Sequence, residues 1–440
     1  MANDAAEVGV LGATTGGLSG KYSPALGTLT SLFFMLGFIT CMNDILIPHL
    51  KAIFSLDYAQ AMLVQFCFRL AYLLVSLPAG KLVGKLGYKK GIIIGLTTAG
   101  IGCLAFYPAA GFGVYAIFLL ALFILASGFT FLQVSANPYV TALGRPETAS
   151  SRLNLTQAFD ALGTTVAPYF GSLVILSFAI LPTTQLQKMT SSQLSLYKLA
   201  EARSVQIPYL GLAIVLFIIA VFFAAMKLPN VNAGSNSAMG EGYDTLYKSA
   251  WGYKHLSLGA IGIFVYVGAE ASIGSFLVNY FGSRSILSMP AIEAGKFVAF
   301  YWGGAMIGRF IGSGLQRKIK PAKMLAFNSM MAILLVVTSM LSHGYVAMWS
   351  ILLVGLFNSI MFPTIFALSV DGLGRHTSQA SGILCMAIVG GAVIPVVQGI
   401  IADNMGIHHA FFIPVLCYIY IAFYAVKGHR PAFLRHTSGA

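Results

Sequence analysis

Three acids stand inside long apolar runs: Asp44 in GFITCMNDILIPHL, Asp160 in TQAFDALGTT and Glu270 in VYVGAEASIG. One base, Arg69 in FCFRLAYLL, shares that setting. An ionisable side chain at the middle of a bilayer costs at least about 2.5 kcal/mol, so it normally faces a cavity or a partner. These residues are therefore the first candidates for chemistry. A carboxylate there can exchange a proton or coordinate a sodium ion. Arg69 is a candidate charge partner for Asp44 or Asp160.

Amides and hydroxyls recur beside the acids at helical spacing. Asn43 adjoins Asp44, and Thr40 lies four residues before it. Thr130, Gln133 and Asn137 fall at i, i+3 and i+7, on one helix face, and Gln157, Asp160 and Thr164 do the same. Ser272, Ser275 and Asn279 form a third stripe, with Tyr266 and Glu270 paired beside it. Asn358 stands in a later apolar run, and Gln65, Arg69, Tyr72 and Ser76 line an early one. An amide both donates and accepts, and a carboxylate accepts strongly. The plainer use of an amide in such a segment is to bond a neighbouring helix, worth about 0.6 kcal/mol.

The elements that carry these residues follow from composition. The chain has 440 residues, 58% of them hydrophobic and 9% charged. Soluble domains carry about 25% charged residues, so a polytopic membrane protein is expected. Long continuous apolar runs without strand alternation point to helices, since only helices and closed barrels satisfy the backbone in lipid. Runs of about 20 apolar residues predict twelve spans: 26–50, 58–83, 91–108, 114–142, 152–181, 207–228, 256–282, 291–314, 322–342, 345–372, 379–402 and 408–427. The net charge of +13 does not imply nucleic-acid binding, because Lys and Arg gather between the spans. With the N-terminus inside, 19 of them, Arg309 included, fall in cytoplasmic segments and 6 in outer ones. That asymmetry predicts both termini in the cytoplasm. The five cysteines show no metal-ligand spacing, and packing is their expected role. Residues 1–20 lack the basic start and apolar core of a cleavable signal.

The polar interval 229–250 divides the spans into six plus six. The expected units are a cytoplasmic tail (1–25), an N-terminal half (26–228), a linker (229–255), a C-terminal half (256–427) and a second tail (428–440). The halves echo each other. GKLVGKLGYKK (80–90) has a counterpart in GRFIGSGLQRKIK (308–320), and NPYVTALGR (137–145) in FPTIFALSVDGLGR (362–375). Pro138 and Pro168 correspond in this way to Pro363 and Pro395. Parallel six-helix repeats predict an all-α major facilitator architecture, with the site at the midplane between halves. Gly303-Gly304 and Gly390-Gly391 read as close-packing positions.

Longer motifs carry a family likeness. GFITCMNDILIPHLK, LVSLPAGKLVGKLGYKKG, LQVSANPYVTALG, VYVGAEASIGSFLVNY and FYWGGAMIGRFIGS resemble the fucose–galactose–glucose:proton symporter family of the major facilitator superfamily. The likeness runs from about residue 28 to 427 and is strongest to the family's bacterial glucose/galactose members. It implies secondary active uptake of a neutral hexose by alternating access, in a bacterial inner membrane, with no enzyme activity and no resident cofactor. Asp44 matches the family's proton-coupling acid, whereas Gln133 stands where a partner glutamate is expected. The superfamily's gating loop maps onto Gly80, Lys85, Gly87, Lys89 and Lys90, but its usual acid is Gly84 here. The amides and acids suit a hexose, which both donates and accepts. The resulting substrate-binding candidates are Asn43, Gln133, Asn137, Gln157, Asp160, Glu270, Asn279, Tyr301 and Asn358, with Tyr301 offering a ring to the sugar.

Alternatives stay open from the sequence. The coupling ion is H⁺ or Na⁺, uniport is a third case, and fucose or N-acetylglucosamine could replace glucose and galactose. A non-transporting sugar sensor is a different class; the short tails argue against it. No nucleophile–base pair, metal cluster or Walker motif supports an enzyme or an ATP-driven pump. The chain is expected to be monomeric, to meet only sugar and lipid, and to bind no metal and no nucleic acid.

Overall fold

The computed structural model describes residues 24–41, 58–112, 114–174, 189–190, 193, 206–229, 247–284 and 286–431. Asn43 and Asp44 lie outside these residues. Twelve long helices run through the described segments. They are α1 (Pro24–Cys41), α2 (Tyr58–Leu86), α3 (Tyr88–Phe112), α4 (Tyr115–Ala142), α5 (Ala149–Val174) and α6 (Gln206–Ala225). The second set is α7 (Lys254–Gly282), α8 (Ala291–Leu315), α9 (Pro321–Leu341), α10 (Gly344–Val370), α11 (Gly374–Met405) and α12 (Ile407–Gly428). Ten are long and apolar enough to cross a membrane, and α5 and α8 are the exceptions. Over the described residues both are too polar: α5 carries Arg152 and Asp160 with Asn154, Gln157 and several threonines, and α8 carries Glu293, Lys296 and Arg309.

Packing explains why those two helices tolerate their charges. In the first set, α3 packs on α4 and α6, and α2 packs on α4. In the second, α8 packs on α10, α7 on α11, and α9 on α10 and α12. The two sets meet where α5 lies against α8 and α10, and where α11 lies against α2 and α4. Arg309 and Asp160 lie at that seam, Arg152 bonds the end of α4 in its own half, and Glu293 and Lys296 are exposed.

The seam is closed at one end of the bundle. There Ser151 Oγ donates to the Ser313 carbonyl at 2.6 Å, and Asn154 Nδ2 to Gln316 Oε1 at 2.7 Å. Gln316 Nε2 continues to Thr364 Oγ1 at 2.7 Å. On the other side, Gly80 and Gly382 let α2 and α11 cross with backbones in contact: a Cβ on Gly382 would lie 2.6 Å from the Ser76 carbonyl oxygen. Toward the opposite end the contact fades, and Tyr169 of α5 and Ile292 of α8 are 77% and 85% exposed.

Proline shapes α4 and α10 in the same way. It carries no N–H, so the carbonyl four residues earlier loses its helical partner. Pro138 frees the carbonyl of Val134, and Ser381 Oγ on α11 donates to it at 2.8 Å. Pro363 frees the carbonyl of Ser359, where α10 breaks between Asn358 and Met361. Arg309 Nε on α8 donates to that carbonyl at 3.2 Å. The repeated prolines thus create two backbone acceptors, each met by a side chain from a neighbouring helix.

At the α2–α3 turn, Lys89 Nζ donates to the carbonyls of Ala224 and Met226, both at 2.8 Å, closing the end of α6 in its own half. Lys85 and Lys90 are exposed, and Gly87 holds a positive φ of 87° that makes the α2–α3 turn. Of the paired glycines, Gly304, Gly390 and Gly391 do meet neighbours closely, but Gly303 has open space where a side chain would go.

That contrast gives a stability prediction. A Cβ on Gly355 would lie 2.1 Å from the Tyr301 carbonyl oxygen, so α8 and α10 must separate to admit it. Overpacking of this kind costs about 1–3 kcal/mol. Gly355→Ala should lower the thermal midpoint in detergent by a few degrees. Gly303→Ala should leave it unchanged or raise it, because alanine gains up to about 1 kcal/mol in a helix interior. Equal shifts for both variants would contradict the packing.

Candidate functional site

The polar residues of the N-terminal half form a chain across α4 and α5. Gln133 and Asn137 are four apart, and Asn137 Nδ2 donates to Gln133 Oε1 at 2.7 Å. Gln157 Nε2 on α5 reaches Asn137 Oδ1 at 3.5 Å. Gln133 keeps partial exposure although Leu132 and the stretch 134–140 beside it are buried. Asn137 uses both ends of its amide in this chain, while Gln133 keeps its Nε2 and Gln157 its Oε1 for a further partner. Asp160 lies one turn beyond Gln157 on the same face of α5. Its backbone meets α1, because a Cβ on Gly37 would fall 1.9 Å from its carbonyl oxygen.

The C-terminal half answers with an acid and a base. Tyr266 Oη donates to Glu270 Oε1 at 2.8 Å along α7. Arg309 Nη2 on α8 stands 3.7 Å from the same oxygen, and both side chains are nearly enclosed, at 13% and 15% exposure. At about 4 Å and an effective dielectric near 20, unit charges attract by roughly 4 kcal/mol. That is comparable to the several kcal/mol each ion loses on leaving water, so the pair needs its extra hydrogen bonds. Arg309 has them: Nε to the Ser359 carbonyl, and Nη1 to the Gln157 carbonyl at 3.4 Å. The second bond crosses the seam. Asp160, also across the seam, lies within electrostatic reach of Arg309.

Behind this pair sits a buried support. Asn358 Nδ2 donates to Tyr301 Oη at 2.8 Å, and Tyr301 Oη donates to the Glu270 carbonyl at 3.3 Å. Tyr266, Tyr301 and Tyr418 are all buried. Asn358 Oδ1, Tyr418 Oη and Ser272 Oγ have no hydrogen-bond partner. A buried polar atom without a partner costs about 1–3 kcal/mol, and Tyr418 lies close enough to Asn358 for the two side chains to interact.

Eight of the nine substrate-binding candidates are described: seven fall into two groups and one is set apart. Gln133, Asn137, Gln157 and Asp160 gather on one side of the seam; Glu270, Tyr301 and Asn358 on the other. Asn279 does not join them: it lies nine residues beyond Glu270 on α7, is exposed, and is hydrogen-bonded to none of the described residues. Tyr301 is fully buried with its hydroxyl engaged, so it braces Glu270 rather than presenting its ring. Asn43 and Asp44 remain outside the described residues.

One charge is placed differently from the sequence reading. Arg309 is not a loop residue; it sits inside α8, six residues before the end, in the centre of the seam. Its sequence context, GGAMIGRFIGSG, already put it within a predicted span. Among the described residues no carboxylate lies within 4.0 Å of Arg69. Its guanidinium packs over Gly391, whose missing Cβ would be 3.3 Å from Cζ. No group of three His, Cys, Asp or Glu among the described residues could hold a metal ion.

The comparisons with known proteins agree with this architecture. The Major Facilitator Superfamily model matches residues 28–394. A glucose/galactose transporter of Brucella abortus biovar 1 (strain 9-941) is 56% identical over 93% of this chain and 95% of its own length. The L-fucose-proton symporter of Escherichia coli (strain K12) is 35% identical over 93% of this chain and 94% of its own. A crystal structure of the transporter FucP in the outward conformation superposes with a TM-score of 0.84 at 34% identity, covering 92% of this chain and 98% of that one. The chain is a multi-pass membrane protein that belongs to the Major Facilitator Superfamily.

Proposed function

We propose that this protein imports glucose and galactose across a bacterial inner membrane by proton symport. The observation that carries this reading is the 56% identity, along nearly the whole chain, to a glucose/galactose transporter. The polar seam supports it. A pyranose presents hydroxyls that donate and accept, and the amides of Gln133, Asn137 and Gln157 face the Glu270–Arg309 pair across the line where the halves meet. Asp44 is the coupling acid in this reading, on sequence grounds. The proton is preferred to sodium because a relative 35% identical is a proton symporter.

Transport then proceeds by rocking of residues 26–228 against 256–427 about the seam. The distribution of Lys and Arg supports a cytoplasmic position for the closed end and for both termini. The sugar enters from the splayed end, where Tyr169 and Ile292 are exposed. It bridges the amides of one half to Glu270 and Asn358 of the other. The unit of transport is one chain, since both halves of the site come from it.

The ion is tested in proteoliposomes. A pH gradient, with sodium excluded, should drive accumulation of labelled glucose, and unlabelled galactose should compete. Asp44→Asn should abolish that accumulation while sugar exchange at equal concentrations persists. Uptake that needs a sodium gradient would replace the proton, and equilibration without accumulation would mean uniport.

The site is tested by its amides. Each sugar hydrogen bond is worth about 0.5–1.5 kcal/mol. Asn137→Ala and Gln157→Ala should therefore each raise KM for glucose about 3- to 10-fold. Asn279→Ala, outside the cluster, should leave KM within about twofold of wild type. Wild-type KM in both amide variants would remove them from the site.

A further inference from the structure

Arg309 has partners in both halves. In its own half, Nη2 faces Glu270 and Nε caps the Ser359 carbonyl that Pro363 leaves free. In the other half, Nη1 donates to the Gln157 carbonyl on α5. Asp160 is three residues on from Gln157, on the same face of that helix. The ring of Phe159 packs edge-on against Phe310 at 5.6 Å beside them, and Thr165 Oγ1 meets Met306 Sδ at 3.6 Å one turn further. Beyond that point α5 and α8 part. The guanidinium therefore sits just inside the place where the seam opens.

The two sets of bonds differ in what rocking does to them. Glu270 and Ser359 move with Arg309, because all three belong to one half. Gln157 and Asp160 move away from it when the closed end opens. The charges differ too: Glu270 stands at ion-pair distance from Arg309, whereas Asp160 across the seam is farther than 4.0 Å but within its electrostatic reach, so losing Asp160 still leaves Arg309 paired. A buried cation stays neutralised on both sides of the motion, which avoids the several kcal/mol of stranding it alone.

We infer that Asp160 and Arg309 form a releasable latch across the seam, with Glu270 as the fixed counterion that keeps Arg309 in place when the latch opens. Asp160 is a positioning residue in this assignment: it biases the balance between the two access states and need not touch the sugar. The latch favours the state in which the end near Ser151 and Ser313 is closed.

The test reads access directly and is independent of which sugar or ion is carried. Ser313→Cys, whose side chain is 4% exposed at the closed end, is placed in a variant lacking the five native cysteines. Tyr169→Cys serves as the reporter at the splayed end. Purified protein in nanodiscs is labelled with a polar maleimide. Asp160→Asn should speed labelling of Ser313→Cys at least threefold and slow that of Tyr169→Cys. Asp160→Glu, which keeps the charge, should restore both rates toward the parent values. Unchanged rates in Asp160→Asn would overturn the latch. So would faster labelling at both ends, which would indicate general loosening. Monodisperse elution of each variant establishes that it is folded before labelling.

Discussion

The fold is organised around the problem of keeping one guanidinium inside a membrane. Arg309 lies in a helix whose neighbours are apolar, and each of its donors must find an acceptor. The acceptors come from three places: the Glu270 carboxylate, the Ser359 carbonyl released by Pro363, and the Gln157 carbonyl of the opposite half. Tyr266 and Tyr301 hold Glu270 where it can serve. A proline in one helix, an acid in a second and an amide-bearing turn in a third are thus all fixed by the same charge. The polar seam is what remains when the requirement is met.

Its geometry follows from where the halves touch. The closed end is held by hydrogen bonds between small and amide side chains, and by glycine crossings that bring backbones together. Bonds of this kind are individually weak, about 0.6 kcal/mol in membranes, so they can part without a large barrier. Within each half the helices pack through apolar faces that have no reason to separate. Rigid halves with a weak polar seam are the mechanical condition for rocking.

Much of this was legible in the residue pattern, and the failures are instructive. Twelve apolar runs, the echo between halves and the prolines were readable, because length, repetition and backbone chemistry are local properties. The Tyr266–Glu270 pair followed from its four-residue spacing, and so did Gln133–Asn137. Arg309 was hidden by an assumption, that a base near a span end belongs to the loop beyond it. Arg69 packs over Gly391, a contact between helices that depends on rotation about each axis, which spacing does not supply. Asn279 shares a stripe with Ser272 and Ser275, but lies too far along α7 to reach the cluster. The pairing of Ser381 with the Val134 carbonyl joins residues 247 apart, a separation at which no local pattern speaks.

Sugar binding at the seam and closure of the splayed end are one event in this account. Spin labels at Tyr169→Cys and Ile292→Cys, both exposed where α5 and α8 part, report that end by pulsed dipolar spectroscopy. Saturating glucose should shift the distance distribution to shorter values by several ångströms, and a sugar that does not compete for uptake should leave it alone. An unchanged distribution with glucose bound would contradict the account.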